Sequence, residues 1–288
     1  MCSGGVPLSP PAKAAKARGW APLAKRVLST AVLLPAFVWI LAWAPAAVFV
    51  GMVTLLGALG QWEFLRMFQR AGIPVLTTVG VVGGAAITAS FALPPLVPLA
   101  FSLVALGILA AGLARAGGAP RAWEPVVITL AGVCYVNWLL GHAVELHGLA
   151  GGLHWIWLLV LVTWVGETSA YFVGSMLGRR KLAPAISPKK TVEGALAQLV
   201  ISPLAALAAQ PWLGSTLTAA EAVGLGLVLG VVGQVGDLVE SALKRSVGAK
   251  DAGQLIPGHG GILDRLDGLL FNTPVLFYYV AYTRGTGT

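Results

Sequence analysis

Residues 154–177 read HWIWLLVLVTWVGETSAYFVGSML, a run of apolar and small side chains in which Glu167 is the single charged residue. As a helix this run would extend about 36 Å, because each residue adds about 1.5 Å along the axis. The hydrocarbon core of a bilayer is about 30 Å thick, so the run predicts a transmembrane helix. A carboxylate inside such a helix usually faces a cavity, a partner or a metal. The alternative is a protonated or helix-capping Glu167 beside a water-filled vestibule.

The composition of the whole chain points to the same environment. Of its 288 residues, 57% are apolar and 10% are charged, whereas about a quarter of the residues in a soluble domain are charged. This hydrophobicity excludes a disordered chain, and the 37 glycines and 18 prolines follow no three-residue period, which excludes a collagen. The two cysteines are too few for a disulfide framework or a cysteine zinc site.

Further apolar stretches lie on both sides of the first. Together they predict an all-α polytopic membrane protein with about nine transmembrane helices. In chain order, the stretches are residues 27–43, 47–64, 74–93, 96–113, 126–146, 154–177, 195–209, 220–240 and 269–282. The seventh and ninth are short, so whether they cross the bilayer fully is left open.

The lysines and arginines support this partition, because cytoplasmic loops collect positive charge. Apart from Arg284, every basic residue falls in the N-terminal tail or in the second, fourth, sixth or eighth connection. We therefore expect a cytoplasmic N-terminus and an external C-terminus. The net charge of +8 then reflects topology and attraction to an anionic lipid bilayer, and no nucleic acid partner is expected.

The chain divides into three predicted parts. Residues 1–24 are rich in Ala, Pro, Gly and Lys and predict a disordered basic tail. Residues 25–153 carry few charges, Glu63 among them, and are interpreted as an N-terminal transmembrane scaffold with small residues for close helix packing. Residues 154–288 hold most of the charged side chains and are interpreted as a C-terminal catalytic transmembrane domain.

The first charged block of the catalytic domain is SPKKTVEG, residues 187–194, in the sixth connection. It concentrates hydroxyl groups and lysines next to a glutamate, which favours contact with a polyphosphate. An ordinary basic loop on the cytoplasmic side is the alternative.

The second block begins near the end of the eighth stretch. If that helix continues to Arg245, the spacing of three and four residues places Asp237, Glu240, Ser241 and Lys244 on one face. A row of acids then leads into a row of bases. The alternative is a set of simple intrahelical ion pairs.

The block continues with PGHGG, residues 257–261, and with Asp264 and Asp267, which are again three residues apart. Converging carboxylates without supporting cysteines or clustered histidines favour Mg²⁺ over zinc. The glycines allow backbone amides to approach an anion at the start of the following helix, and His259 suits a hydrogen bond to phosphate. The two aspartates could instead cap that helix. Together the residues describe a site for a metal-bound polyphosphate.

The segments SALKR (241–245), KD (250–251) and PGHGGILDRLD (257–267) resemble the signature of the phosphatidate cytidylyltransferases, also called CDP-diglyceride synthases. SPKKTVEG, GDLVE (236–240) and the Ala170–Tyr171 pair are similar to that family as well. Two departures concern the sixth and seventh helices: Glu167 stands where the family usually has Asp, and residues 195–198, ALAQ, replace a Gly-rich segment.

This resemblance implies an enzyme of phospholipid biosynthesis that transfers CMP from CTP to phosphatidic acid, forming CDP-diacylglycerol and pyrophosphate. It implies Mg²⁺ as cofactor and leaves open a second cation such as K⁺. It also implies a bacterial inner membrane location with the active site facing the cytoplasm. Assembly into a homo-oligomer is left open.

The resemblance also implies roles for individual residues. The expected metal ligands are Asp237, Glu240, Asp264, Asp267 and Glu167. The expected catalytic residues are Asp237, Lys244, Arg245, Asp264, Arg265 and Asp267. The expected substrate contacts are Ser187, Lys189, Lys190, Thr191, Glu193, Ser241, Lys250, His259, Gly260 and Gly261.

Other classes fit the residues less well. A CTP-dependent kinase of a membrane alcohol is the nearest alternative, but it needs a base for a neutral hydroxyl. The Asp-Gly, Ala-Arg and spaced-Asp pattern of the CDP-alcohol phosphotransferases is absent from the sequence. A secondary transporter would gather its charged residues at the bilayer midplane, whereas the charged residues of this sequence are expected to crowd one face of the membrane. The sequence contains no Walker A or His-Glu-x-x-His pattern, so no residues indicate an ATPase or a zinc protease.

Overall fold

All nine predicted apolar stretches form helices. The computed structural model describes residues 20–116, 123–213, 217–256 and 260–285. The α-helices in these ranges are α1 (Trp20–Trp43), α2 (Ala46–Arg70), α3 (Thr77–Ser90), α4 (Val97–Ala116), α5 (Glu124–Gly132), α6 (Leu139–Gly148), α7 (Gly152–Leu177), α8 (Val192–Ala209), α9 (Ala219–Ser246) and α10 (Leu263–Arg284). Helix α1 therefore begins within the predicted tail, of which residues 1–19 lie outside the described residues.

Short elements join these helices. A π-helical turn, Val133–Trp138, connects α5 to α6 without a break. Two strands, β1 (Lys181–Ala183) and β2 (Ser187–Thr191), form an antiparallel hairpin between α7 and α8. The 3₁₀ turns Pro94–Leu96 and Gln210–Leu213 precede α4 and follow α8.

Six helical segments of the described residues are long and apolar enough to cross a bilayer. They are Ala46–Arg70, Pro94–Arg115, Glu124–Gly148, Gly152–Leu177, Val192–Trp212 and Ala219–Ser246. The apolar helices Thr30–Trp43 and Thr77–Ser90 are shorter. The protein is thus an all-α integral membrane protein, as predicted, while the count of nine spans and the orientation of the termini stay predictions.

The helices of the second half pack side by side, α7 against α8, α8 against α9 and α9 against α10. Glycine permits the closest approach: a Cβ at Gly226 of α9 would lie 2.5 Å from the Cα of Pro203 in α8. Lipid chains are as apolar as the helix surfaces, so association in a membrane depends on such close packing. Gly226 thus allows the backbones of α8 and α9 to approach closely.

Helix α10 joins the two halves of the chain. It packs against α7 and α9 of the second half and against α2 and α6 of the first. Its buried face includes Leu263, Leu266 and Leu270. This packing sets the first two turns of α10, with Asp264 and Asp267, beside α2, α7 and α9.

Candidate active site

Three carboxylates from α9 and α10 converge. One carboxylate oxygen from each of Asp237, Glu240 and Asp267 lies within 4.8 Å of the other two. Helix α9 presents Asp237 and Glu240 on one face, as their three-residue spacing predicts. The packing of α10 on α9 brings Asp267 to them. We call these three residues the carboxylate cluster.

The surroundings of the cluster fit a bound cation. The Oε1 atoms of Glu240 and of Glu167 are buried and have no hydrogen-bond partner within the described part of the chain. Burial and the adjoining Asp237 carboxylate raise the pKa of Asp267, which precedes the predicted ninth span, to about 7. Buried oxygen atoms without a hydrogen-bond partner are rare in proteins and often indicate the site of a bound ion or water. A donor set made only of oxygen fits a hard divalent ion.

Glu167 approaches the cluster from α7. A Cβ at Gly268 would lie 2.1 Å from Glu167 Oε1, so this carboxylate rests against the α10 backbone next to Asp267. Glu167 is not one of the three clustered residues. Its expected role as a metal ligand therefore stays a prediction, which its position next to Asp267 supports.

Lys244 and Asp264 form a second layer beside the cluster. Lys244 Nζ lies 2.9 Å from Glu240 Oε2 and 2.8 Å from Asp264 Oδ1. The Asp264 carboxylate also accepts hydrogen bonds from the backbone N–H groups of Ala252 and Gly261, at 3.1 and 2.8 Å. Burial alone would raise the pKa of Asp264, but Lys244 and these N–H groups outweigh it and hold the pKa below its usual value.

These contacts engage both carboxylate oxygens of Asp264, which lies outside the carboxylate cluster. The arrangement favours a role for Asp264 in placing Lys244 and the loop before α10, and its expected metal ligation remains untested.

The hairpin brings one of its lysines to the cluster. Lys190 Nζ lies 2.7 Å from Asp237 Oδ2, and the neighbouring Lys189 is exposed. Ser187 pairs with Ala183 in the strand register and is half-buried. Ser187, Lys189 and Lys190 were all expected to contact substrate. Of the three, Lys190 is the one that forms an ion pair with a cluster residue.

Two further candidates, Thr191 at the end of β2 and Glu193 in the first turn of α8, form hydrogen bonds with backbone N–H groups. The Glu193 carboxylate accepts hydrogen bonds from the N–H groups of Arg179 and Arg180, at 3.0 and 3.2 Å. Thr191 caps α8 by accepting a hydrogen bond from the Gly194 N–H over 3.2 Å. Both residues thus fix the position from which Lys190 reaches Asp237.

Basic residues surround the end of α9. Arg245 donates to the carbonyl oxygens of Ala249, over 2.8 Å, and of Ile186 in the hairpin turn, over 3.3 Å. Lys250 is exposed, and Arg265 is exposed within charge range of Glu167. Ser241 lies one helical turn after Asp237, with its hydroxyl 3.5 Å from the Asp237 carboxylate.

The glycine loop leads into α10. Gly260 has φ +91°, a left-handed conformation that side chains disfavour, and its carbonyl accepts a hydrogen bond from the Ile256 N–H. Gly261 is buried beside it and donates to Asp264. His259, which the sequence assigns to phosphate binding, lies with Pro257 and Gly258 outside the described residues.

Two residues of the first half, missed in the sequence, also reach this region. Glu63 of α2 is completely buried and accepts a hydrogen bond from the Leu263 N–H over 2.9 Å. Tyr135, in the π-helical turn, lies between Phe64 and Phe271, and its hydroxyl is within charge range of the carboxylate cluster. A lone charge in an apolar stretch, the signal that identified Glu167, would also have identified Glu63. No sequence pattern singled out Tyr135.

Comparison with known proteins adds an independent line of evidence. The sequence model of the cytidylyltransferase family matches residues 24–283. A Staphylococcus aureus (strain COL) protein named phosphatidate cytidylyltransferase is 45% identical over 125 residues, which cover 43% of this chain and 48% of that protein. Its namesake in Bacillus subtilis (strain 168) is 44% identical over 155 residues, 54% of this chain and 57% of that protein.

A third relative, the uncharacterised protein YnbB of Escherichia coli (strain K12), is 38% identical over 156 residues, 54% of this chain and 51% of that protein. The chain thus spans about half the length of the curated relatives it matches.

Proposed function

The chain belongs to the cytidylyltransferase family, and we propose that it transfers CMP from CTP to phosphatidic acid, forming CDP-diacylglycerol and releasing pyrophosphate. The observation that carries the proposal is the convergence of Asp237, Glu240 and Asp267 next to the ammonium groups of Lys190 and Lys244. Both substrates are anions, and a site that combines cation-binding oxygens with fixed positive charges suits them. The names of the Staphylococcus aureus and Bacillus subtilis relatives support phosphatidate as the acceptor.

The reaction requires little general acid–base catalysis from the protein. A phosphate oxygen of the lipid is already negative near neutral pH, so it attacks the α-phosphorus of CTP without a strong general base. The new P–O bond forms as the bond to pyrophosphate breaks, and pyrophosphate leaves with the electron pair. Orientation and charge neutralisation then supply most of the rate.

The carboxylates and lysines share the work of charge neutralisation. Asp237, Glu240 and Asp267 would hold Mg²⁺, with Glu167 as a further candidate ligand. When bound, the ion supplies positive charge to the phosphate groups. Lys190 and Lys244 reach the same place from the hairpin and from α9, where each can hold a phosphate oxygen.

The loop and the exposed bases complete the phosphate site. The backbone at Gly260 lies just before α10, where the helix dipole favours an anion, and the neighbouring Gly261 N–H is already held by Asp264. Arg245, Lys250 and Arg265 add positive charge around it. Asp264 places Lys244 and the loop.

We place this site at the cytoplasmic face of a bacterial inner membrane. The support is the distribution of basic residues, which favours nine spans with the N-terminus inside. The carboxylate cluster lies near the C-terminal end of α9 and the first turn of α10, next to the basic hairpin. A soluble nucleotide and a lipid phosphate can meet at such an interface.

Purified protein incubated with phosphatidic acid, Mg²⁺ and CTP tests the proposal. With CTP labelled in the cytosine ring, we expect labelled lipid, none in EDTA, and recovery when Mg²⁺ is restored. Label that enters a lipid alcohol only from the γ-phosphate of CTP would identify a kinase instead. Activity indifferent to EDTA would contradict the metal site.

A pair of variants ties the activity to the cluster. Asp267→Asn removes one clustered carboxylate and should lower product formation by about a hundredfold or more, as expected when a group that neutralises charge in the transition state is lost. Glu145→Gln changes an acid of α6 that lies outside the carboxylate cluster and should retain activity. Equal activity of the two variants would contradict the assignment.

A further inference from the structure

Glu63 is a buried acid of the first half that the proposed reaction does not use. It lies in α2, its exposed fraction is 0%, and its Oε2 accepts a hydrogen bond from the Leu263 N–H over 2.9 Å. Leu263 is the first residue of α10, 200 positions further along the chain. A carboxylate at this position satisfies a free N–H of the first turn and faces the positive end of the helix dipole. Glu63 thus caps α10 from another helix.

The loop before α10 closes around the same carboxylate. A Cβ at Gly253 would lie 1.9 Å from Glu63 Oε1, and a Cβ at Gly261 would lie 2.4 Å from Glu63 Oε2. Glycine at both positions therefore lets two separate points of the loop approach the carboxylate closely. The backbone N–H groups of Leu255 and Ile262 also lie close to this carboxylate.

A second carboxylate holds the loop from the other side. Asp264 accepts hydrogen bonds from the N–H groups of Ala252 and Gly261. Ala252 directly precedes Gly253, and Gly261 is itself the second glycine that lies against Glu63. The described part of the loop is therefore fixed between an acid of α2 and an acid of α10.

We propose that Glu63 is a positioning residue that locks this loop and the first turn of α10 in register with α9. The lock keeps Asp267 against Asp237 and Glu240 and keeps the Gly260 backbone in place next to the cluster. The chemical consequence rests on the proposed function, whereas the lock itself does not. It gives the first half of the chain a direct part in the active site.

Hydrogen exchange of the full-length protein in detergent tests the lock. Glu63→Gln keeps the size of the side chain but removes its charge. We expect amide exchange in residues 251–256 and 260–266 to accelerate by about tenfold or more, because a glutamine amide offers these N–H groups one acceptor oxygen where the carboxylate offers two. Glu145→Gln changes a partly buried acid of α6 and should leave this segment unchanged. Unchanged exchange in Glu63→Gln would overturn the proposal.

Kinetics of the same samples separate positioning from general stability. In Glu63→Gln the Mg²⁺ concentration that gives half-maximal activity should rise by about tenfold or more, with an unchanged thermal midpoint. An unchanged Mg²⁺ requirement would also overturn the proposal.

If Glu63→Gln does not fold, Gly253→Ala provides a second variant, because its added methyl group would press on the same carboxylate. Gly253→Ala should accelerate exchange and raise the Mg²⁺ requirement in the same way. The absence of both effects in Gly253→Ala would equally contradict the proposal. If the wild-type protein forms no CDP-lipid, the proposed function fails, and hydrogen exchange still decides the lock.

Discussion

Gly268 shows how a single backbone position can control the carboxylates. It follows Asp267 in α10, and its missing side chain leaves room for Glu167 Oε1. The sequence resemblance marked Glu167 as unusual, because an aspartate is expected there. The structure adds that the longer side chain reaches the α10 backbone.

Gly268→Ala should therefore displace the Glu167 carboxylate and lower CMP transfer by about tenfold or more, since misplacing a group near the reacting atoms is costly. The double variant Gly268→Ala/Glu167→Asp shortens the side chain by one methylene and should recover part of the activity. Gly51→Ala, where a Cβ meets no atom within 4 Å, is the control. Steady-state rates with labelled CTP measure the effect, and a double variant weaker than the single one would contradict this account.

Individual residues were also the hardest features to predict. Asp237 and Glu240 could be paired from their spacing on one helix, and Asp267 was expected to join them. The contacts of Glu193 with backbone N–H groups, and those of Asp264 with Lys244 and the Ala252 N–H, could not be foreseen, because they depend on how the loops fold. Glu63 could be recognised as unusual, but its contact with Leu263 depends on how distant helices pack.

Among the elements, the hairpin β1–β2 deserves a direct test. Lys190 and Lys189 are adjacent in β2, so their side chains leave the strand on opposite sides. Lys190 Nζ lies 2.7 Å from Asp237 Oδ2, and Lys189 is exposed.

Lys190→Met should lower CMP transfer by about tenfold or more, because it removes a fixed charge beside the cluster. Lys189→Met, a change of identical chemistry one residue away, should alter the rate by about twofold at most, as for an exposed charge. Product formation by the two variants under matched conditions measures the difference. Equal losses would show that the hairpin acts only as a basic surface.

The helices themselves were largely predictable, because hydrophobic length is a strong signal in a membrane protein. Their ends were less predictable from hydropathy, although the charge spacing suggested a helix that continues to Arg245. Helix α9 continues to Ser246 and α10 begins at Leu263, beyond the apolar stretches 220–240 and 269–282. Asp237 and Glu240 lie within the stretch 220–240, whereas Asp267 lies outside the stretch 269–282, so a hydropathy criterion alone stops short of the α10 part of the cluster. The hairpin was expected only as a connection, because its short strands leave little periodic signal.

At the scale of the whole molecule, the expected orientation can be checked at the C-terminus. A reporter fused after Thr288 should be external, because nine spans with a cytoplasmic N-terminus end on the opposite side. An alkaline phosphatase fusion, active only outside the cytoplasm, and a fluorescent protein fusion, bright only inside, give opposite readouts. A cytoplasmic signal would contradict the predicted number of spans.

The position of α10 between the two halves limits how the protein can be re-engineered. This helix rests on α2 and α6 as well as on α7 and α9. A chimera that keeps residues 154–288 and borrows its first half from a distant relative would retain Asp237, Glu240 and Asp267. It would still lack the α2 and α6 surfaces that match α10. A functional transfer of the site therefore requires these two helices as well.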